Sequence, residues 1–255
     1  MSLVGLCSAH GSPGVTTAAL VVGAAWPPGR RVVVVEADPF GGVLAARFGL
    51  GDTPGLASLA AAARPSLTGD DVTAHVQRLS GGLPVVVGVG SPEQGQAVIR
   101  DVAAPLAGLA AAGDVDVVVD CGRVGPGAGS LPLLRECDLV LVVVRPSVDQ
   151  LRHAAHRLGH VGSVAGSVAL LLVGDAPYGA EEVASTLGVE VAGVLAWDPA
   201  AAGVVNGSVA GGFPGVGRGR LGRSALARSA VTLTGSIAAR VGATAHAGSV
   251  AGRVS

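Results

Sequence analysis

Lysine is absent: all 17 basic residues among the 255 are arginine. With the richness in Ala, Gly and Val, this marks a compositional bias of the coding genome. The lack of a lysine at any one position is therefore weak evidence about that position. Aromatic residues are also scarce, at 2% of the chain, so a core must be built from Val, Leu and Ala. Charged residues make up only 14% and nearly balance, leaving a net charge of −1. That balance gives no global electrostatic reason to bind nucleic acid or an anionic membrane. Cysteine is limited to Cys7, Cys121 and Cys137, widely spaced and odd in number. This argues against a disulfide framework and zinc-type pairing, and reads as buried, reduced thiols. The longest apolar runs, around Ala18–Trp26 and Leu139–Val144, are too short to span a bilayer. The N-terminal stretch has no basic segment leading into an apolar run with a cleavage site. The expectation is a cytoplasmic protein whose mean hydropathy of +0.58 reflects buried strands.

Short β-branched runs recur at Leu3–Cys7, Arg31–Val35, Leu83–Val89, Val115–Val119, Leu139–Val144, Val168–Val173 and Val189–Leu195. Most are continuously apolar rather than alternating, the pattern of strands covered on both faces. Between them lie Ala/Leu-rich helical stretches at Thr16–Ala25, Leu56–Ala63, Gln94–Ala112, Val148–Leu158, Ala180–Leu187 and Ser224–Val241. This alternation predicts a doubly wound α/β fold, with a mainly parallel central sheet and helices on both faces. The first strand is expected at the centre, with the strand ending at Asp120 beside it. One domain is expected over residues 1–241, with Gly203–Gly222 as a surface loop and residues 242–255 as a flexible tail.

In such a sheet, ligands bind at the carboxyl ends of the strands. Three segments there carry acids or glycines. "SAHGSPGVTTAAL", residues 8–20, follows the first strand with a Gly-containing turn and Thr-Thr opening a helix. Glu36-Ala37-Asp38-Pro39-Phe40-Gly41-Gly42 follows "RVVVV", and Asp120-Cys121-Gly122 follows "VDVVV". Successive backbone N–H groups and a helix N-terminus make a phosphate cradle.

This arrangement resembles the ParA/MinD family of partitioning and positioning ATPases, whose P-loop "KGGxGKT" follows strand one and whose "DxDPQG" follows strand two. "ECDLVLVVVRPSVDQLRHAAHRL" is similar to the family's later strand, Pro-containing turn and helix. "VAGVLAWDPAAAGVVNGSVAG" is similar to its "G-x-I-P-x-D" segment. The resemblance covers roughly residues 1–241, and "VVVVEADPFGG" is its most specific part. It implies a P-loop NTPase-like fold, ATP and Mg²⁺ as cofactors, and face-to-face homodimers.

Laid onto the family loop, Ala9 takes the first glycine, His10 the extra lysine, Gly11 matches, and Ser12 replaces a glycine. Pro13 takes the variable position, Gly14 matches, Val15 replaces the phosphate-binding lysine, and Thr16 and Thr17 match the hydroxyl pair. The resemblance thus makes Gly11, Ser12, Pro13, Gly14, Val15, Thr16 and Thr17 the phosphate loop, and sets Asp198 and Pro199 against the base. It associates Asp38 with the attacking water, and Thr16 and Asp120 with Mg²⁺. The departures weaken the site. Pro13 has no N–H to give, Val15 no charge, Glu36 replaces an aspartate, and Gly174 stands where a base-reading asparagine is expected. The expectation is a degenerate site with weak or absent ATP binding, in a cytoplasmic positioning or scaffold factor that binds protein partners. The competing reading is an active, Mg-ATP-dependent dimerising ATPase with the missing charge supplied by an arginine such as Arg123 or by a second subunit. A third is a structural regulator with no nucleotide role.

Other candidates carry plain readings beside the functional ones. His10 is a turn residue or a stand-in for lysine. His153, His156 and His160 share a helical face, as a solvated surface or a metal site lacking a further ligand. Ser8, Ser12 and Cys7 have no nucleophile context. Arg218, Arg220, Arg223 and Arg228 form a solvated face or, by the resemblance, a contact for DNA or a partner. No C-terminal amphipathic membrane helix is evident.

Overall fold

The apolar runs become the strands of one eight-stranded sheet. A computed structural model describes residues 1–62, 68–113, 115–125, 127–208 and 219–251 of the chain. The strands are β1 (Leu3–Ser8), β2 (Val32–Glu36), β3 (Gln77–Arg78), β4 (Pro84–Val86), β5 (Asp116–Arg123), β6 (Leu139–Val144), β7 (Val168–Val173) and β8 (Val191–Leu195). Their order is β3-β4-β2-β5-β1-β6-β7-β8. Every pairing is parallel except that of β3 with β4. β1 is central and β5 lies beside it, as expected from the sequence.

The helices are α1 (Val15–Ala24), α2 (Leu44–Phe48), α3 (Leu56–Ala62), α4 (Gly69–Thr73), α5 (Pro92–Ala112), α6 (Leu131–Glu136), α7 (Val148–Val164), α8 (Ala180–Leu187), α9 (Pro199–Val205), α10 (Gly219–Gly222) and α11 (Ala225–Ala251). They cover both faces of the sheet. Leu3 and Cys7 of β1 pack with residues of α3, α5, α6, α7 and α8. Val4 and Leu6, pointing the other way, pack with α1, α9 and α11. The period-two alternation of the strand thus feeds two apolar layers, which is why runs such as Leu139–Val144 are apolar at every position.

Several boundaries differ from the sequence reading, α7 among them, which runs past Leu158 to Val164. The third predicted strand shortens to β4, with Val87 and Gly88 already in a loop that bonds Leu56 and Glu36. Pro199–Val205 and Gly219–Gly222, inside or beside the expected loop, are helical. α11 runs on to Ala251 instead of ending at Val241. The stretch "GATAHAGSVA" has no proline to end the helix.

At the amino ends of the strands, Asp116 is a buried anchor. Its carboxylate accepts bonds from the Ser2 N–H and hydroxyl (2.8 Å each), Trp26 Nε1 (2.8 Å), and Arg30 Nε and Nη2 (2.6 Å each). Burial alone raises a carboxyl pKa, but the bonds from Arg30, Trp26 and Ser2 outweigh it and hold Asp116 below the usual range.

Candidate functional site

The carboxyl ends of β1, β5, β7 and β8 open onto a cleft of about 640 Å³, within the size of small-molecule sites. Its floor is the turn between β1 and α1. Gly11 (φ 64°) and Gly14 (φ 104°) bend that turn through left-handed backbone, where glycine carries no side-chain penalty. Gly14 is the residue just before α1, and its carbonyl accepts the Ala18 N–H at 2.8 Å. Ser12 is exposed and Pro13 is buried. Val15 is 7% exposed and joins the apolar cluster under α1. The position to which the family resemblance would give a lysine therefore holds a core side chain without charge.

Three carboxylates sit beside this turn. Glu36 is buried, and its oxygens accept the N–H groups of Val43 (2.6 Å), Leu44 (3.1 Å) and Gly88 (2.8 Å). It ties the loop after β2 to the loop after β4, a structural role the sequence reading did not assign. Asp38 accepts the Phe40 N–H at 2.9 Å. Burial raises its pKa, offset in part by that bond and by Arg123. Asp120 accepts the Gly122 N–H through Oδ1 at 3.0 Å, while its buried Oδ2 meets no donor at hydrogen-bond distance among the described residues. Burial pushes its pKa up to about 7, against the lowering pull of the Thr16 hydroxyl and the Gly122 N–H. The sheet register places Glu36 directly opposite Asp120.

This geometry tests the fit of Mg-nucleotide. The Asp120 carboxylate, one oxygen of which meets no donor at hydrogen-bond distance, and the Thr16 hydroxyl near it are hard oxygens suited to Mg²⁺. On the phosphate side Pro13 has no N–H to give and Val15 no charge, while Arg47, Arg123 and Arg145 line the cleft further out. On the base side, the Asp198 side chain accepts the Ala201 N–H at 3.0 Å and caps α9, with Pro199 at its first position. Both line the cleft, but as a helix start. Gly174 (φ 84°) lies against Trp197, so the expected asparagine position has no polar group to offer.

Arginine and aromatic residues at the cleft went unremarked in the sequence, apart from Arg123. The Arg145 guanidinium lies over the Trp197 ring at 4.0 Å, and that of Arg123 over Phe40 at 5.1 Å. Scarcity was the available signal: two of only six aromatics flank the two family-like motifs.

The remaining candidates scatter. His10 stacks on His153 of α7, with ring centroids 3.9 Å apart. His156 and His160 are exposed on the same helix, and no metal-holding group of three ligands occurs among the described residues. The three cysteines are free and buried, and burial pushes Cys7 up to about 12, far from a reactive thiolate. Ser8 is buried at the end of β1. Arg223 and Arg228 are exposed near the start of α11. Arg218 and the side chain of Arg220 lie outside the described residues. No helix among the described residues is long and apolar enough to cross a membrane.

Solved structures carry the same architecture. A ParA family ATPase from Chlorobium tepidum TLS is 20% identical, with a TM-score of 0.68 over 91% of this chain and 97% of its own. The fold is that of the ParA and MinD ATPases. The septum site-determining protein MinD of Pyrococcus horikoshii OT3, complexed with Mg-ADP, is 17% identical with a TM-score of 0.66, covering 91% of this chain and 94% of that one. The MinC:MinD cell division protein complex of Aquifex aeolicus matches at 15% identity and a TM-score of 0.64, over 94% and 96% of the two chains. No protein-family model and no curated protein matches the chain. At these identities the ParA/MinD fold is what is shared.

Proposed function

We propose that this chain is a ParA/MinD-like positioning factor with a degenerate nucleotide site, acting by binding protein partners in partitioning or in septum or pilus placement. One observation carries the reading: Val15, at the lysine position, is packed into the core at 7% exposure. A phosphate at the turn would meet no cation there, and Pro13 gives it one N–H fewer. The ParA/MinD neighbours, one of them a MinD bound to MinC, support the cellular role. The protein acts in the cytoplasm, as a monomer or as a homodimer whose state ignores ATP. Contact with DNA through Arg218, Arg220, Arg223 and Arg228 is not part of this reading.

A second reading rests on Asp120. A carboxylate oxygen without a donor, with the Thr16 hydroxyl near the same carboxylate, is the arrangement that Mg²⁺ would complete, and it favours an Mg-ATP-binding, dimerising ATPase. Calorimetry with ATP and Mg²⁺, run alongside light scattering, separates the two. No tight ATP binding and an unchanged mass are expected. ATP-dependent dimerisation would reject the degenerate site in favour of the ATPase.

A further inference from the structure

Cations are concentrated at the cleft mouth. Arg47 and Arg123 are exposed and Arg145 is half-buried, and all three line the cleft. None makes an ion pair among the described residues, where Arg30 pairs with Asp116 and Arg240 with Glu190. Arg145 Nε is buried with no acceptor among the described residues, so the guanidinium's remaining donors are not held by an internal pair. Two of the most exposed large apolar side chains of the molecule, Phe40 at 56% and Trp197 at 54%, stand at the same mouth beneath Arg123 and Arg145. Aromatic rings with arginine are the composition of protein-binding hot spots.

The placement of these groups selects the ligand. A triphosphate seated in the turn needs its cation at the floor, where Val15 sits. Here the charge lies on the rim, spread between two flat apolar rings. Such a surface suits a chain lying across the opening with carboxylates and apolar side chains in alternation. Two carboxylates, Asp38 and Asp198, also line the cleft: Asp38 is bonded to the Phe40 N–H and faces the Arg123 charge without an ion pair, and Asp198 caps α9.

We propose that the cleft mouth, formed by Arg47, Arg123, Arg145, Phe40 and Trp197, is a docking site for an acidic, apolar-containing segment of a protein partner. The inference rests on the partner-binding reading above and assigns that partner to the degenerate cleft. Carboxylates of the segment would take the guanidinium donors, in bidentate fashion where the fork allows. An apolar side chain of the segment would cover the Trp197 ring as Arg145 turns from it toward the carboxylate.

Trp197 is its own reporter. The other tryptophan, Trp26, is buried at the opposite ends of the strands and bonded to Asp116. The probe is a short synthetic peptide of alternating Glu and Leu, titrated at low salt, with its Gln-for-Glu counterpart as control. A saturable change in tryptophan emission is expected with the Glu peptide only, weakening steeply with salt. Trp197→Phe should abolish the emission change and leave calorimetric binding in place. Arg123→Gln with Arg145→Gln should weaken binding by about tenfold for each guanidinium removed. Circular dichroism checks that the pair folds; exposed Arg123→Gln alone gives the same test if it does not. Equal binding of both peptides, no binding of the Glu peptide, or unchanged affinity in the folded arginine variants overturns the docking site. Adding ATP with Mg²⁺ keeps the two readings apart. Displacement of bound peptide by ATP supports this location while overturning the degenerate site. Failure of the peptide to bind, with ATP also not binding, overturns the docking site alone.

Discussion

The carboxylate of Asp38 lies directly over the α-carbon of Gly122, in the space where a side chain would stand. Gly122 also has φ 59°, the left-handed region. Asp38 follows β2 and Gly122 lies within β5, so this contact sets how closely the two motifs approach. A side chain at 122 would meet both penalties. Gly122→Ala should cost about 1–2 kcal/mol for the backbone alone, and more for moving Asp38. Chemical denaturation checks the sum. Combining it with Asp38→Ala should return the steric part and leave the backbone part, a coupling that a double-mutant cycle reads directly.

The carboxylates under the cleft predict an unusual pH dependence. Burial raises the pKa of Asp120 to about 7, and those of Glu36 and Asp38 in the same direction. In the unfolded chain these groups ionise near their ordinary values, about 4. Between about pH 4 and 7 the folded state therefore binds more protons than the unfolded state, so stability falls as pH rises and levels off above 7. For Asp120 the loss is on the order of 4 kcal/mol. Asp120→Asn keeps the acceptor toward Gly122 and removes the charge. It should flatten the profile and be more stable than the parent at pH 8 in denaturant titrations. A variant less stable than the parent at pH 8 would show that the ionised carboxylate is favourable there.

The opposite ends of the strands titrate the other way. The pKa of Asp116 is held low, so its contribution is present above its ordinary value and is lost as pH falls below about 4. Asp116→Ala should leave Ser2, Trp26 and Arg30 without their acceptor. The cost should lie toward the low end of the roughly 3–5 kcal/mol for breaking a buried pair, because the Arg30 side chain keeps 28% exposure and can turn to water. Denaturation at pH 7 measures it.

Much of this was legible in the chain. Runs such as Leu139–Val144 and Val168–Val173 are apolar at every position because both faces are covered, and that alone indicated a parallel sheet. Asp38 and Asp120 stood at strand ends, where the cleft is. The short helices α2, α4, α6 and α9 escaped because five to seven residues carry no helical period. They are held by local ends such as the Asp198 cap on α9 and the Thr68–Asp71 capping box on α4. The Arg145–Trp197 stack was out of reach because it joins residues from β6 and β8 ends, strands separated by β7. Glu36 looked like a misplaced aspartate. Only the folded loops show that the longer side chain reaches three backbone N–H groups.

Duplex DNA decides the arginines near α11. Arg228 donates through Nη1 to the Arg223 carbonyl, which sets its guanidinium along the helix start. Gel shift at low salt, where phosphate contacts are strongest, should show no retardation by the intact chain. A shift that disappears when Arg218, Arg220, Arg223 and Arg228 are all replaced by alanine would assign the cluster to DNA.

The turn itself can be rebuilt. Val15 is at once a core residue and the missing cation, so Val15→Lys should fail twice. It removes a buried apolar side chain, lowering the melting temperature, and it supplies an ammonium to a turn that Pro13 leaves short of one N–H. Little gain in ATP affinity is expected from it alone. Pro13→Val restores that donor, and the two changes together should gain more than the sum of each. A charged phosphate hydrogen bond contributes about 1.5–3 kcal/mol, or roughly one to two orders of magnitude in affinity. Calorimetry with ATP and Mg²⁺ reads all four chains. If the unmodified chain already binds ATP tightly, and Thr16→Ala abolishes it, the turn is a working site without lysine. In that case the Thr16 hydroxyl and the open Asp120 oxygen hold the metal that makes it so.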